Sequence, residues 1–277
     1  MREKKLSLGN VICYIILILW GIITIYPLIY TFISSFKTET DMFSNLFGLP
    51  KEYIFSNYSH LFTEMNLMRN IMNSLFLAIM TVTLQLIFGA MASYIIANFS
   101  MKINNKIMLY FIIGMLIPVH AIIIPISIIA KAVNGYNSFW FIIAIYVATG
   151  LPYLIFVVTG FMRSIPKELV EAAIVDGCNA NQAFWKIVLP LSKPVLATMG
   201  MLSFIGAWNE LILALVLLKN NATKTVSLAL TLFAGERFSN YPGMCAAVIV
   251  GVLPTMIIYF MFQENIIKGM TAGSVKG

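Results

Sequence analysis

Six long apolar stretches most constrain what this chain of 277 residues can fold into. Polar or turn-rich segments separate them, and they cover residues 11–33, 71–97, 107–130, 139–161, 195–217 and 243–263. Each approaches the roughly 20 apolar residues that a helix needs to cross a bilayer. Unpaired backbone groups are costly in lipid, so each stretch is expected to be helical. We therefore predict an all-α, polytopic membrane protein with six transmembrane helices.

The composition supports this prediction, because 60% of the residues are hydrophobic and only 10% are charged. Soluble domains carry about 25% charged residues. The net charge of +7 is expected to reflect membrane topology, so we predict no nucleic-acid partner. The first stretch is too long for the core of a signal peptide and lacks a small-residue cleavage site, so we expect it to remain as a span.

The distribution of Lys and Arg predicts the orientation in the membrane. With a cytoplasmic N-terminus, 11 of the 18 Lys and Arg residues fall on the cytoplasmic side and 7 on the other. This bias favours placing both termini in the cytoplasm. The segment 37–69 would then face outward, and its turn-forming residues suggest some local helix within it.

Gly and Pro residues interrupt the last four stretches, which favours a moving core around a pathway over ordinary helix packing. Few polar residues lie inside the stretches, and those that do are candidate pathway or gate residues: Gln85, His120, Asn209 and Glu210. Glu210 has three possible roles: pairing with a neighbouring subunit, capping a helix break, or contacting solute; a structural or gating role is favoured. We expect His120 to be an interior histidine beside a proline kink, and Gln85 to form an interhelical hydrogen bond.

Catalytic signatures are missing from the sequence. It has no paired carboxylates, no HExxH motif, no GxSxG elbow and no Gly-rich phosphate loop. The cysteines Cys13, Cys178 and Cys245 follow no metal-binding spacing. We therefore predict a protein that is not an enzyme and has no catalytic, cofactor-binding or metal-binding residues.

The loop 163–194, between the fourth and fifth stretches, is unusually long and structured. Ser164 is predicted to cap a helix whose first turn holds Pro166 and Glu168. Gly177 is predicted to end that helix in the left-handed conformation. Because this helix is acidic, a docking element fits better than a surface helix in the headgroup layer.

A second short helix is predicted over about 181–188, ending before Pro190. On the first helix, helical spacing places Leu169, Ala173 and Ile174 on one stripe. Small alanines on this helix would let another surface approach closely.

Two motifs connect the chain to a known family. The run Glu171-Ala172-Ala173, three residues, Gly177, nine residues and then 187–190 (IVLP) resembles the EAA loop of ABC-importer permeases. The end of the chain, 269–277 (GMTAGSVKG), resembles the tail of the MalG-like second permease of carbohydrate ABC importers. Met270 departs from that tail, where Leu is commoner.

The resemblance implies a type I ABC importer fold with a cytoplasmic coupling helix, in the bacterial cytoplasmic membrane. It implies a second permease subunit, two ATPase subunits that bind ATP and Mg²⁺, and an external solute-binding protein. It assigns contact with the ATPase to loop residues Glu171, Ala172, Ala173, Asp176, Gly177, Ile187, Leu189 and Pro190. It assigns insertion between the ATPase subunits to the tail residues Gly269, Thr271, Gly273, Lys276 and Gly277.

The same resemblance divides the chain into an N-terminal part, a permease domain and a tail, with bounds 1–69, 70–265 and 266–277. The implied cargo is a carbohydrate. Other solutes, such as glycerol phosphate or amino acids, stay open. A stand-alone secondary transporter and a purely structural subunit are further alternatives, which the loop motif disfavours.

Overall fold

Every regular element in the computed structural model of the protein, which describes residues 8–64, 66–99, 101–236 and 240–272, is a helix. This confirms the all-α prediction. In chain order the α-helices are α1 (Leu8–Ser34), α2 (Glu39–Ser44), α3 (Ser56–Glu64), α4 (Leu67–Asn98), α5 (Asn104–Leu116), α6 (Ile123–Ala132), α7 (Phe139–Met162), α8 (Lys167–Val175), α9 (Ala180–Ala183), α10 (Leu189–Leu191), α11 (Lys193–Asn209), α12 (Ile212–Leu217), α13 (Val226–Glu236) and α14 (Tyr241–Ala272). A 3-10 helix, Val119–Ile122, precedes α6, and a π-helix, Phe184–Val188, joins α9 to α10.

The chain forms two compact units, one of Met1–Leu67 with Leu230–Leu253 and the other of Met68–Ala229 with Pro254–Gly277. In the first unit, the segment between α1 and α4 folds around the buried side chain of Lys37. Its Nζ donates hydrogen bonds to the carbonyls of Asn45 (2.6 Å) and Leu46 (3.4 Å) at the end of α2. A cation is favourable at a helix C-terminus. Helices α2 and α3 confirm the local helix expected within 37–69.

Among the described residues, four helices are long and apolar enough to cross a membrane: α1, α4, α7 and α14. Two further pairs of helices, bent by 85° and 75°, raise the count to six if each pair is one span. The first bend lies at Pro118, where Ile117 is extended (ψ 113°). A proline disfavours helical backbone in the residue before it, which explains the break. The count of six spans stays a prediction.

The predicted fifth stretch, 195–217, is helical but is not one continuous helix. Helix α11 ends at Asn209, Glu210 adopts an extended backbone (φ −66°, ψ 125°), and α12 starts at Ile212. The second bend, of 75°, separates the helix pair Ala180–Leu191 and Lys193–Asn209.

In the second unit, small residues let α4, α7 and α11 approach closely. A Cβ added to Gly89 would meet the Leu154 side chain, and one added to Gly200 would lie 3.2 Å from Leu86. Such small residues are typical of helix contacts in membranes, because close packing replaces the hydrophobic effect there. These contacts lie next to a cavity and to the loop 163–194.

Candidate functional site

A cavity of about 530 Å³ lies within the second unit. This volume is in the range of small-molecule binding sites. Its lining is apolar with several polar side chains, which come from α4, the 3-10 helix, α7, α11 and the α11–α12 break: Thr81, Gln85, His120, Tyr146, Thr149, Tyr153, Ser203 and Glu210. Among the described residues, no group of three or more His, Cys, Asp or Glu is placed to hold a metal ion.

Glu210 caps the break between α11 and α12. Its Oε1 accepts a hydrogen bond from the Leu213 N–H (2.7 Å), and its Oε2 accepts one from the Ala214 N–H (3.0 Å). The Tyr146 hydroxyl of α7 donates to Oε2 at 2.7 Å. The carboxylate therefore satisfies N–H groups that the start of a helix leaves unpaired. Of the three possible roles for Glu210, the structure shows the cap; a role in gating stays a prediction.

Gln85 forms the interhelical hydrogen bond expected of it, because its Nε2 donates to the Tyr146 carbonyl at 2.8 Å. Gly150 makes room for this amide, since an added Cβ would overlap Nε2. The Gln85 Oε1 and the nearby Thr81 Oγ1 are buried and have no hydrogen-bond partner among the described residues. Unpaired polar atoms are costly when buried, so this wall is suited to a polar occupant.

His120 and Asn209 differ in their relation to the cavity. His120 is exposed on the 3-10 helix beside Pro118 and lines the cavity. Its side chain is therefore not buried, in contrast to the interior histidine that we expected. Asn209 is exposed and does not line the cavity. The structure thus gathers Gln85, His120 and Glu210 around one space and leaves Asn209 outside it.

The sequence reasoning missed the α7 wall of the cavity. Four of its residues recur at intervals of three, four and seven, which places them on one helix face: Tyr146, Thr149, Gly150 and Tyr153. This stripe of polar and small residues, in a helix that is otherwise apolar, is the sequence pattern that could have predicted the α7 wall.

The loop 163–194 starts differently from the prediction. Helix α8 begins at Lys167 with Pro166 at its N-cap and no side-chain capping bond. Ser164 does not cap it, because its Oγ donates to the Phe161 carbonyl at the end of α7 (2.7 Å). Only Glu168 of the predicted first-turn residues lies inside the helix.

Helix α8 ends as predicted, at Gly177 in the left-handed conformation (φ +87°). The Gly177 N–H donates to the Ile174 carbonyl (3.0 Å), and the Cys178 N–H donates to the Ala173 carbonyl (2.9 Å). This pair of bonds is a Schellman motif, which closes the C-terminus of a helix and holds the chain in a fixed direction.

The second loop helix is longer than predicted. It starts with a capping box in which Asn179 and Gln182 exchange hydrogen bonds (2.8 and 2.9 Å). The helical backbone then continues past Pro190 to Leu191, so the predicted end before Pro190 is wrong. The π-helix precedes this proline, and its wider turn relieves the clash that a proline makes in an α-helix.

One face of α8 packs on the other helices of the second unit. Val170 and Ala173 are buried, and Val170 belongs to an apolar cluster that includes Tyr94, Phe184 and Met162. The Tyr94 hydroxyl also donates to the Ala180 carbonyl at 3.0 Å. The predicted stripe is therefore wrong: Ala173 faces inward, whereas Leu169 and Ile174 are exposed.

The opposite side of α8 faces outward, and we call it the outer face. Its members are exposed and recur at intervals of three, four and seven residues: Glu168, Glu171, Ala172 and Val175. Val175 is 86% exposed. A rigid helix thus presents two carboxylates, a small residue and an apolar side chain.

The remaining motif residues divide between surface and interior. Asp176, Gly177 and Pro190 are exposed, whereas Ile187 and Leu189 are half-buried. In the tail, Gly269 and Thr271 lie within α14. Gly273, Lys276 and Gly277 lie outside the described residues.

A comparison with protein families decides what kind of protein carries this cavity and loop. The sequence model of the family "Binding-protein-dependent transport system inner membrane component" matches residues 85–272. The chain belongs to this family. The matched range contains the loop and every cavity-lining residue except Thr81, and the match confirms the family resemblance.

Relatives of this inner-membrane component match it over nearly its whole length. A putative ABC transporter permease protein from Caldicellulosiruptor sp. is 36% identical, over 95% of this chain and 96% of its own. The multiple sugar-binding transport system permease protein MsmG of Streptococcus mutans is 32% identical, over 95% and 96%. A chain in the crystal structure of a bacterial ABC transporter involved in alginate import superposes with a TM-score of 0.80 at 22% identity, covering 95% of this chain and 98% of that one. The inner-membrane component therefore has the fold of an ABC-importer permease.

Proposed function

We propose that this inner-membrane component is one of two permease subunits of a carbohydrate ABC importer, and that a partner ATPase drives it through the outer face of α8. The observation that carries the proposal is the construction of α8. One face is packed on the other helices of the second unit, the C-terminus is closed by a Schellman motif, and the other face is exposed. A force applied to such a helix moves the core beneath it instead of bending the loop.

A continuous packed path leads from α8 to the cavity. Val170 lies in the same apolar cluster as Val158 of α7 and Met199 of α11. Met199 also lines the cavity. Because packed cores transmit strain with little compression, a shift of α8 would reach the cavity wall. The breaks at Ser192 and Glu210 give α11 two points at which to move.

The chemistry of the cavity favours a carbohydrate over glycerol phosphate. Among the described residues that line it, none is Lys or Arg, and the Glu210 carboxylate lies in its wall. A phosphate would be repelled there instead of paired. Tyr153 offers an aromatic face with a hydroxyl group, and the Gln85 amide and the hydroxyls of Thr149 and Ser203 lie among apolar surface, which suits the hydroxyls and C–H faces of a sugar. The sugar-transport name of the MsmG relative and the MalG-like tail support the same cargo.

The rest of the importer follows from the family. A second permease completes the pathway, two ATPase subunits bind ATP and Mg²⁺ on the cytoplasmic side, and an external binding protein delivers the solute. Both termini of this chain would then be cytoplasmic. The tail that begins near Gly269 would reach the ATPase subunits.

The experiment changes the outer face without weakening its helix. Val175→Arg places a cation at the C-terminal end of α8, where the helix dipole favours it. We expect the variant to lose most ATPase subunits on purification and most solute-stimulated ATP hydrolysis, because a charge replaces the most exposed apolar contact. The matched control is Val133→Arg, which changes another exposed valine, at the end of α6. Normal co-purification and activity of Val175→Arg, or equal loss in both variants, would exclude the outer face as the docking surface.

A further inference from the structure

A second concavity, of about 390 Å³, collects three cationic side chains in the second unit. Lys102 follows α4, Arg163 follows α7, and Lys167 opens α8. We call this concavity the basic pocket. Its described lining contains no acidic residue and consists of Ile96, Ala97, Asn98, Phe99, Met101, Lys102, Asn104, Asn105, Arg163 and Lys167.

The three cations are available to bind an anion. All are exposed, and within the part of the chain that the structure describes none has an ion-pair partner. Each comes from a different stretch of backbone, so the fold and not sequence proximity brings them together. Like charges repel, and a concavity that gathers three of them without a carboxylate is suited to an anionic ligand.

Two helix N-termini add to the positive potential of the basic pocket. Helix α5 begins at Asn104 and α8 begins at Lys167, and neither start has a side-chain capping bond. Their first N–H groups and their dipoles therefore favour negative charge. Asn104 is buried and holds the end of α4 through its Nδ2, which donates to the carbonyls of Ile96 and Phe99. Its Oδ1 is buried and has no described partner.

Exposed apolar side chains lie directly beside the cations. Phe99 and Met101 are each 41% exposed, and Ile103 is 53% exposed. A ligand matched to this surface has an anionic head and an apolar tail. Free phosphate would use only the cations and the helix N-termini.

We propose that the basic pocket binds the headgroup of an anionic phospholipid of the phosphatidylglycerol class, with its phosphodiester on Lys102, Arg163 and Lys167. Basic pockets between membrane helices on the cytoplasmic side are suited to such headgroups. The acyl chains lie along Phe99, Met101 and Ile103. Because Arg163 and Lys167 flank the start of α8, a bound phosphodiester ties that start to the ends of α4 and α7. The importer would thus sense the anionic lipid content of its membrane at the base of α8, whatever its cargo.

The chain offers a matched pair of lysines for the test. Lys102 and Lys106 are four residues apart and exposed, and topology predicts both on the same side, but only Lys102 lines the basic pocket. The complete importer, purified in mild detergent with phosphatidylcholine and phosphatidylglycerol, is analysed by native mass spectrometry for retained phosphatidylglycerol. We expect Lys102→Gln to weaken retention about fivefold, since one cation contributes about 1 kcal/mol near an anionic lipid. Lys106→Gln should retain phosphatidylglycerol as the unaltered importer does.

Further variants and a competition experiment distinguish the effect of charge from a loss of folding, and a lipid headgroup from free phosphate. Lys102→Arg should retain the lipid, and the triple variant Lys102→Gln, Arg163→Gln and Lys167→Gln should lose it. Equal losses for Lys102→Gln and Lys106→Gln would mean diffuse attraction to basic residues and would overturn the proposal. Loss in Lys102→Arg would exclude the charge as the cause. Displacement of the lipid by an equal concentration of inorganic phosphate would assign the pocket to free phosphate instead.

Discussion

Gly150 shows how one missing side chain builds a wall of the cavity. A Cβ at this position would overlap the Gln85 amide, so Gly150→Ala forces that amide to move and to give up its bond to the Tyr146 carbonyl. We expect the free energy of unfolding to fall by about 1–3 kcal/mol, the usual cost of overpacking. Thermal unfolding of the purified protein in detergent measures the change.

Gly160 in the same helix is the control for Gly150. A Cβ there meets nothing within 4 Å, so Gly160→Ala should be neutral or stabilise by about 0.5–1 kcal/mol, as in an ordinary helix interior. The double variant Gly150→Ala with Gln85→Ala should recover part of the loss, because it removes the overlapping amide. If Gly150→Ala and Gly160→Ala melt alike, the close contact between α4 and α7 is not what stabilises the protein.

The roles of single residues could be predicted where they depend only on residues nearby in the sequence. Gly177 ends α8 as expected, because the Schellman motif needs only neighbouring backbone and a residue that accepts positive φ. The interhelical bond of Gln85 was also expected, because a buried amide in lipid needs a partner. Its actual partner, the Tyr146 carbonyl, lies 61 positions away and no local pattern identifies it.

At the scale of elements, the break between α11 and α12 depends on the Glu210 carboxylate. Glu210→Ala removes the acceptor of two N–H bonds and of the Tyr146 hydroxyl bond. We expect a loss of about 2 kcal/mol in stability, the upper range for a helix cap. Glu210→Gln keeps one acceptor oxygen and should lose about 1 kcal/mol. Melting temperatures in detergent rank the two.

Asn209 is the natural control for Glu210, because it is adjacent in sequence and exposed. Asn209→Ala should change stability by no more than about 0.5 kcal/mol. A loss as large as that of Glu210→Ala would mean that the break depends on its backbone and not on the cap. Equal melting of Glu210→Ala and Glu210→Gln would exclude the carboxylate bonds as its support.

The ends of helices could be predicted only where a helix-ending residue determines them without a contact from another helix. The apolar run 211–218 (LILALVLL) is as helical in pattern as any span, so capping a helix break was only one of three roles open for Glu210. That break is held by Tyr146 on another helix. At Pro190 the error was the opposite: the helix was predicted to end before the proline, but the π-helix before it lets the helical backbone continue. The capping box of Asn179 and Gln182 was visible as an N-x-x-Q pattern, and it was missed.

At the scale of the whole molecule, hydropathy was sufficient for the membrane class and for the helices α1, α4, α7 and α14. It could not predict the bends of 85° and 75°. An average hydropathy reports how apolar a segment is and says nothing about the direction in which its helix axis runs. Nor could it predict the cavity, whose wall residues come from four separated parts of the second unit. The domain bounds 1–69, 70–265 and 266–277, and the roles of the tail residues, stay predictions.

Orientation is the property of the whole molecule on which the docking proposal depends. The excess of Lys and Arg, 11 against 7, predicts that α8 faces the cytoplasm and that the end of α6 faces outward. Val175 and Val133, which are 86% and 59% exposed, can report on the two sides after replacement by cysteine. The background for both is a variant in which the three native cysteines are changed to alanine.

A maleimide that cannot cross the membrane should label Val175→Cys in inside-out vesicles and Val133→Cys in right-side-out vesicles. Bound ATPase subunits should protect Val175→Cys from labelling and leave Val133→Cys unaffected, because only the outer face of α8 is covered in the proposed assembly. Mass spectrometry of the labelled peptide gives the labelled fraction. The reverse pattern of labelling would invert the topology, and no ATPase could then reach α8. Correct sidedness without protection would keep the topology and exclude the outer face as the docking surface.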